Sequence, residues 1–529
     1  MMKKIPVPDI PENEQTEVVK LLLDIISQQS ELLQKQAEEI QLLKDEIARL
    51  KGKPKKPKIS PSTMDPTLPQ KKRTRKERRK HKPKPFKIDT TIELHPDNVP
   101  DNSRFKGYRN YIVQDILLDS FTVNYRREKW RTPEGKCIVA PLPHGIDGHF
   151  GPQVKALILY LNYGLNTTQP LLKEFLDLLG IRISSGMINN ILTEGKEDFH
   201  REKEGILSTG LQLSDYVVVD DTGARHAGHN GYCTHIGNEL FAYYKSSKRK
   251  SRSNFLQLLR GAHTDYVINM DAYNYMRANK MPESMLQRFE NISQTGKTFC
   301  DENKWHDFLR IVGIRKDTHI KIATEAALTA SILSHGCNQN LVIVSDEAGQ
   351  FDVFHHALCW IHAERKIKNI IPINDYQKDI IDALLDKLWR LYRDIQLYQG
   401  NPDPHHKEHL QGQFDELCLH HTEFDVINNA LSLLYKNKDA LLLALTRPEI
   451  PLNNNISEND IRAIVQKRKV HGGTRGSKGL LARDTFMSLK KTSGKLGISF
   501  YEYLYDRVAH INKIPLFHDI MHNRLVSQT

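Results

Sequence analysis

Between Val19 and Leu50 the chain repeats apolar positions at alternating steps of three and four: Val19, Leu22, Ile26, Gln29, Leu33, Gln36, Ile40, Leu43, Ile47 and Leu50. That is the seam two helices bury against each other. Residues 1–50 are therefore expected to hold a coiled-coil helix that joins copies of this chain into a homo-oligomer. Gln29 and Gln36 sit in the seam and would fix register at some cost in stability. The period then stops. Residues 51–88 (KGKPKKPKIS…KKRTRKERRKHKPKPF) are proline-rich and basic, which predicts a disordered arm or linker. Over 89–150, short β-prone runs (NYIVQDILL, FTVNYRREKW, KCIVAPLP) alternate with turns and predict a small β-containing module. Helical spacing returns over 151–205. There "QPLLKEFLDLLGIRISSGMINNILTEG" reads as helix, turn at Gly180, cap at Ser184/Ser185, and second helix. Both a DNA-reading helix-turn-helix and an ordinary helical hairpin fit that pattern.

Beyond residue 206 the pattern mixes. Tyr216–Val219 is a continuous apolar run, as in a buried strand, and it ends in Asp220 and Asp221. "GYCTHIGNELFAYYKSS" gives two β-prone segments around Gly237-Asn238, a hairpin signal. A mostly helical stretch leads to a second apolar run, Leu341–Val344, followed by Asp346. Residues 361–452 are strongly helical. Then come "NNNISENDIRAIVQKRKV", a basic Gly-rich loop (KRKVHGGTRGSKG), and a C-terminal tail over 501–529. The whole reads as multidomain α/β. No apolar run reaches the roughly 18 residues of a membrane span, and the start lacks a signal-peptide core, so a cytoplasmic protein with no membrane partner is expected.

Charge sharpens this picture in one place. The 529 residues carry a net charge of +12, and Lys51–Thr90 alone holds 16 Lys and Arg against 3 Asp and Glu. The rest is near neutral, so attraction to a polyanion is concentrated in the arm. The six cysteines (Cys137, Cys233, Cys300, Cys337, Cys359, Cys418) are scattered without a CxxC, which argues against a disulfide framework or a zinc ribbon.

Three acids stand where chemistry is possible: Asp220 and Asp346 at the ends of buried strands, and Glu458 at a helix start. Acids at strand ends point into the crevice where α/β sheets place ligands. Carboxylates from three elements suit two Mg2+ ions, which prefer hard oxygen donors. Each acid alone also fits a cap or turn. Glu458 follows Asn455 by three, a capping-box arrangement, with Asn454 beside it. Asp271 in "INMDAYNYM" is a rival for the second acid; the buried strand before Asp346 favours the latter. Candidate DNA contacts are Lys248, Arg249, Lys250 and Arg252, and on the helix of Glu458 Arg462, Lys467, Arg468 and Lys469. Arg462 lies one helical turn after Glu458, so an ion pair between them is the plain alternative. Cys359-x-x-His362 has ligand-like spacing, but a zinc site needs more partners than are in view.

In their order along the chain these stretches resemble the DDE transposases of the insertion sequence 66 group. "VDDTGAR" is similar to the family's first-acid block, "SSKRKSRSNFLQLLRG" to its basic segment, "SDEAGQFD…CWIHAERK" to its second-acid block, and "NNNISENDIRAIVQKRK" to its third. The likeness covers roughly 150–500. It implies that Asp220, Asp346 and Glu458 are catalytic and bind two Mg2+ (or Mn2+) ions. Asp221, Cys359, Trp360, His362, Arg365, Asn454 and Asn455 would support them. It further implies an RNase H-like core over 206–360 and 453–500, with 361–452 as a helical insertion. Double-stranded DNA would be the partner at the nucleoid, with accessory transposition proteins as a further candidate. The family's Cys-rich module before the helix-turn-helix is missing here. A DNA-binding protein without catalysis, and a nuclease without strand transfer, are the competing readings.

Overall fold

A computed structural model describes residues 88, 90–94, 103, 104, 106, 108–113, 118–133, 135–143, 145–292 and 297–526. The expected coiled coil over 1–50 and nearly all of the basic arm lie outside the described residues. The chain divides into two units, Met1–Thr90 and Thr91–Thr529, and all the described strands and helices belong to the second.

Two three-residue strands, β1 (Lys129–Arg131) and β2 (Cys137–Val139), pair antiparallel and are exposed throughout. Helix α1 (Pro152–Leu159) runs straight into a π-helical turn, Tyr160–Gly164. Helices α2 (Gln169–Leu178) and α3 (Ser185–Thr193) follow. Gly180 turns the chain between them at φ +74°, and the Ser184 hydroxyl accepts the Met187 amide at 3.2 Å. Their apolar stripes, Leu172 and Leu176 against Ile188, Ile191 and Leu192, face inward. Helix α4 (Glu197–Leu213) leads into the sheet.

The central sheet has five strands: β3 (Tyr216–His226), β4 (His229–Gly237), β5 (Ala242–Ser247), and then, after a long helical passage, β8 (Val342–Ser345) and β9 (His355–Leu358). Its spatial order is β5-β4-β3-β8-β9. The first three strands form an antiparallel meander, whereas β8 runs parallel to β3 and β9 parallel to β8. The intervening passage comprises α5 (Arg252–Leu259), the pair β6 (Tyr266–Ile268) and β7 (Lys297–Phe299), α6 (Met270–Ala278), α7 (Glu283–Ile292), α8 (Glu302–Val312) and α9 (Asp317–Ser334). Alternation along β3 divides the core. Val217 and Val219 join the large cluster with Leu207, Leu211, Phe255 and Ala326; Val218 joins Val342, Val344, Ala357 and Ile450 on the other face. Each such fully buried side chain contributes about 1.5–3 kcal/mol.

Past β9 come α10 (Trp360–Lys368), α11 (Asp375–Gly400), α12 (Pro404–Cys418), α13 (Asp425–Lys436) and the short α14 (Lys438–Leu441). Trp360 anchors this helical segment. Its indole donates to the Leu441 carbonyl at 2.8 Å, and its ring meets Tyr392 and Phe414. Helices α15 (Asn455–His471) and α16 (Ser477–Lys495) return to the sheet. The segment expected as a tail carries most of α17 (Phe500–Val508) and all of α18 (Phe517–Val526), whose Tyr503, Leu504, Phe517 and Met521 are buried in the large cluster. The buried Glu202 of α4 accepts the Tyr503 hydroxyl at 2.8 Å and the Phe517 amide at 2.9 Å. Among the described residues no helix is long and apolar enough to cross a membrane.

Candidate active site

β3 is longer than its parallel neighbour. It pairs with β8 only from Tyr216↔Val342 to Val218↔Val344, while its hairpin with β4 continues to His226↔His229. Two residues beyond the last parallel pair, Asp220 stands level with Asp346. Both acids therefore lie where the two strands part. Asp220 shares a face with Val218, and that face is covered by Ile450 and by Ile456 at the start of α15. The helix brings Glu458 there.

The electrostatics record this convergence. Burial first, and then the charges of Asp346, Asp221 and Glu458, push the Asp220 carboxyl up to about 7 against the pull of the Asp221 amide. That amide donates to Asp220 Oδ1 at 2.7 Å. Asp346 Oδ1 accepts the Ala348 amide at 3.0 Å. Glu458 lies between two guanidinium groups, 3.7 Å from Arg365 and 3.9 Å from Arg462. Asp221 points the other way, taking hydrogen bonds from the Thr234 hydroxyl and from Gln350 at 3.0 Å, with Lys250 at 3.8 Å. Asp271 sits in the first turn of α6, takes a 3.3 Å hydrogen bond from Asn269, and is not among the main charges acting on Asp220.

The donor set fits hard divalent cations: three carboxylates, one of them kept from ionising freely by burial and then by the other acids. The acids do not form a tight cage for one ion. Among the described residues, the group of three whose ligand atoms all lie within 4.8 Å of one another is elsewhere, at His263, Asp265 and His335.

The charge frustration has a measurable consequence. A carboxyl raised from 3.8 to about 7 contributes most to stability below pH 4, and that contribution is lost as pH rises to 7. Asp220→Asn is therefore expected to stabilise the metal-free protein at pH 7.5 by up to a few kcal/mol, since one pKa unit is about 1.4 kcal/mol. The gain should vanish at pH 4. Thermal melts in EDTA at the two pH values check it; a lower melting temperature for the variant at pH 7.5 contradicts it.

A second set of residues, which no sequence pattern singles out, positions Glu458. In the register of the meander, Asp220 pairs with His235 and His235 with Tyr244, so the three form a row on one face of β3, β4 and β5. Helix α15 lies across this row. His235 is fully buried; its Nδ1 is 2.7 Å from the Ser457 hydroxyl and its Nε2 3.1 Å from Asp460 Oδ2. The Tyr244 hydroxyl donates to the Asp460 carbonyl at 2.7 Å. Lys495 and Lys491 of α16 reach Asp460 at 2.7 and 3.3 Å. Burial works to raise the Asp460 carboxyl, but His235 and then Lys495 outweigh it and hold it well below the usual range. Burial likewise holds His235 below its ordinary value. The faint signal in the sequence is an acid two residues past Glu458.

Several sequence expectations are corrected. The capping box is not made: α15 begins at Asn455, no side chain caps it from Asn454, and Glu458 turns to the arginines. Instead Asn453 Oδ1 takes the Asn455 amide at 3.1 Å, and Asn454 is buried with both amide atoms unpartnered. Lys467 is not a surface cation. It is 4% exposed, donates to the Asn162 carbonyl of the π-helical turn at 2.8 Å, and is pushed down to about 7 chiefly by burial. Arg252 is spent on the loop after Asp346, donating to the Gly349 carbonyl at 2.9 Å. Arg468 donates to the Gly223 carbonyl. Lys248, Arg249, Lys250, Arg462 and Lys469 are exposed. Buried Cys359 takes its place at the start of α10, its thiol pushed up to about 11 mainly by burial. His362 Nε2 lies 3.0 Å from Arg365, and its buried Nδ1 has no partner. The glycine-rich loop closes the far end: Gly472 ends α15 at φ +74°, and Thr474 exchanges backbone hydrogen bonds with Arg225 and Ala227.

Comparison with known proteins adds two likenesses. A family model described as "Transposase IS66 family" matches residues 341–481, the stretch from β8 through α15 to the start of α16. An uncharacterised protein of Sinorhizobium fredii (strain NBRC 101917 / NGR234), y4jO, is 39% identical over 305 residues, which is 57% of this chain and 94% of that protein.

Proposed function

The chain belongs to the transposase IS66 family, and on that footing we propose that it is a DNA transposase that cuts the ends of an insertion element and joins them to target DNA. The observation that carries this is the meeting of Asp220, Asp346 and Glu458 at the point where β3 and β8 part. The sheet order β5-β4-β3-β8-β9, with three antiparallel strands followed by two parallel ones, supports an RNase H-like core. The helices of 361–452 are then its insertion.

Asp220, Asp346 and Glu458 would hold a pair of Mg2+ or Mn2+ ions. Such ions activate the attacking oxygen and neutralise charge on the phosphate. The protein's own part is positioning. Arg365 and Arg462 fix the Glu458 carboxylate and offer their remaining donors to phosphate oxygens. Hydrolysis at an element end leaves a 3′-hydroxyl, and that hydroxyl then attacks the target strand. Neither step requires a protein nucleophile, so no covalent protein–DNA bond is formed. The outward face of α3 carries Asn189 and Asn190, side chains suited to base edges, as a recognition helix requires. Copies joined through residues 1–50, with the basic arm on flanking phosphates, would hold two ends together at the nucleoid.

The test is incubation of the full chain with Mg2+ and DNA carrying the element's own ends. Cuts with 3′-hydroxyls followed by joined products are expected. Cuts never followed by joining would instead identify a nuclease, and binding without cuts a DNA-binding relative. Salt dependence tests the surface. Lys248→Met, Arg249→Met and Lys469→Met should each flatten the slope of log affinity against log salt by about 0.9. Lys467→Met should leave the slope unchanged, because that amine is turned inward; a flattened slope there overturns the assignment.

A further inference from the structure

Outside the acidic site, one group of side chains has the geometry of a metal site. His263 and Asp265 lie on the turn between α5 and β6, and His335 is the residue that ends α9. One ligand atom from each lies within 4.8 Å of the other two. His335 Nε2 is 2.9 Å from Asp265 Oδ1. The two imidazoles stack nearly parallel, with ring centres 3.5 Å apart and 9° between planes. We propose that His263, Asp265 and His335 form a site for a borderline transition ion of the Zn2+ class, separate from the carboxylate site.

The chemistry separates the two sites. Two imidazoles and one carboxylate select Zn2+, Co2+, Ni2+ or Cu2+, whereas an all-oxygen set suits Mg2+ or Mn2+. The surroundings favour a cation. The group sits at the C-terminal end of the 18-residue helix α9, where the unsatisfied carbonyls carry partial negative charge. His263 makes no hydrogen bond to another described side chain. The adjacent cation is turned aside: Arg260 donates to the Asp265 backbone carbonyl at 2.6 Å and lies over the Tyr266 ring at 4.8 Å. Ligand atoms of a tetrahedral Zn2+ stand about 3.3 Å apart, given bonds near 2.0–2.1 Å. Since the ligand atoms already lie within 4.8 Å of one another, they need close by no more than about 1.5 Å, and the rings swing out of the stack so that each aims a nitrogen lone pair at the ion. Coordination through His335 Nε2 replaces its hydrogen bond to Asp265, and the neutral ring keeps its one proton on Nδ1. Three protein ligands leave a position open to water. The ion would tie the turn before β6 to the end of α9.

Titration of the metal-free full chain with Co2+, which reports coordination in its visible absorption, tests the proposal. One tetrahedral-type Co2+ per chain is expected, displaced by Zn2+ and not by millimolar Mg2+. The bands should persist in Asp220→Asn and disappear in His263→Ala and in His335→Ala. Bands unchanged in either histidine variant, or lost in Asp220→Asn, overturn it. A second measurement needs no variant. Zn2+ should protect His263 and His335 of the parent chain from diethyl pyrocarbonate; equal modification with and without Zn2+ also overturns it. Both readouts are independent of DNA cleavage, so this site can fail while the transposase reading stands.

Discussion

Asp220→Asn, Asp346→Asn and Glu458→Gln are each expected to slow Mg2+-dependent cleavage of cognate ends by about a thousandfold or more. Each change removes a charge with almost no change in volume, so the loss falls on cation binding and not on packing. The several kcal/mol supplied by bound cations at a phosphoryl transition state translate into that factor at about 1.4 kcal/mol per decade. End binding, measured by fluorescence anisotropy, should change little, because the exposed basic side chains that carry it lie on other residues. Asp271→Asn is the control and should cleave at the parental rate. A variant of Asp220, Asp346 or Glu458 that cleaves normally removes that residue from the site. Loss of cleavage in Asp271→Asn would restore the rival register, which the absence of Asp271 from the main charges acting on Asp220 argues against.

Asp460→Ala, only two residues from Glu458, is expected to fail differently. It should lower folding stability by about 3–5 kcal/mol, the usual result of breaking a buried pair and leaving its partners uncompensated. Those partners are Lys495, Lys491 and the buried His235. Urea midpoints at pH 7 measure it. The sign with pH is fixed by the depressed carboxyl. The stabilisation is present above the ordinary carboxylate range and is lost as pH falls below about 4, through the folded value. The contrast with Asp220→Asn is the informative part. One acid removed from the cluster at the strand ends should stabilise the metal-free chain at neutral pH, and another removed beneath it should destabilise. A midpoint for Asp460→Ala within about 0.5 kcal/mol of the parent would show that the row His235–Asp460–Lys495 does not hold α15 in place.

Legibility in the sequence depends on what repeats along a chain. Tyr216–Val219 and Leu341–Val344 are apolar on both faces and could be recognised as buried strands, and Asp220 and Asp346 were visible because they end those runs. The hairpin at Gly237-Asn238 was also legible. The continuation of β3 to His226 was not, because polar residues from Asp220 onward hide a strand that β8 no longer accompanies. Misreadings had one cause: the sequence shows a side chain's type but not its direction. Lys467 looks like its neighbour Lys469, yet helical rotation turns one toward Asn162 and the other to solvent. Arg252 looks like part of a basic run until the loop at Gly349 folds over it. Asn455 and Glu458 have capping-box spacing, but Glu458 meets stronger partners in Arg365 and Arg462. His235 was unreadable for the opposite reason, since its importance arises only from a register that places it opposite Asp220.

The seating of α17 and α18 against α4 bears on how this molecule is born. Glu202 and Tyr503, hydrogen-bonded in the folded chain, are 301 residues apart in sequence. A ribosome adding roughly 5–20 residues per second takes about 15–60 s to travel that distance. Throughout that interval the apolar side of α4 lacks its cover. The cover comes only when α17 and α18 emerge. An early stop codon near residue 500 would leave every proposed catalytic acid in place and still yield a product prone to aggregation.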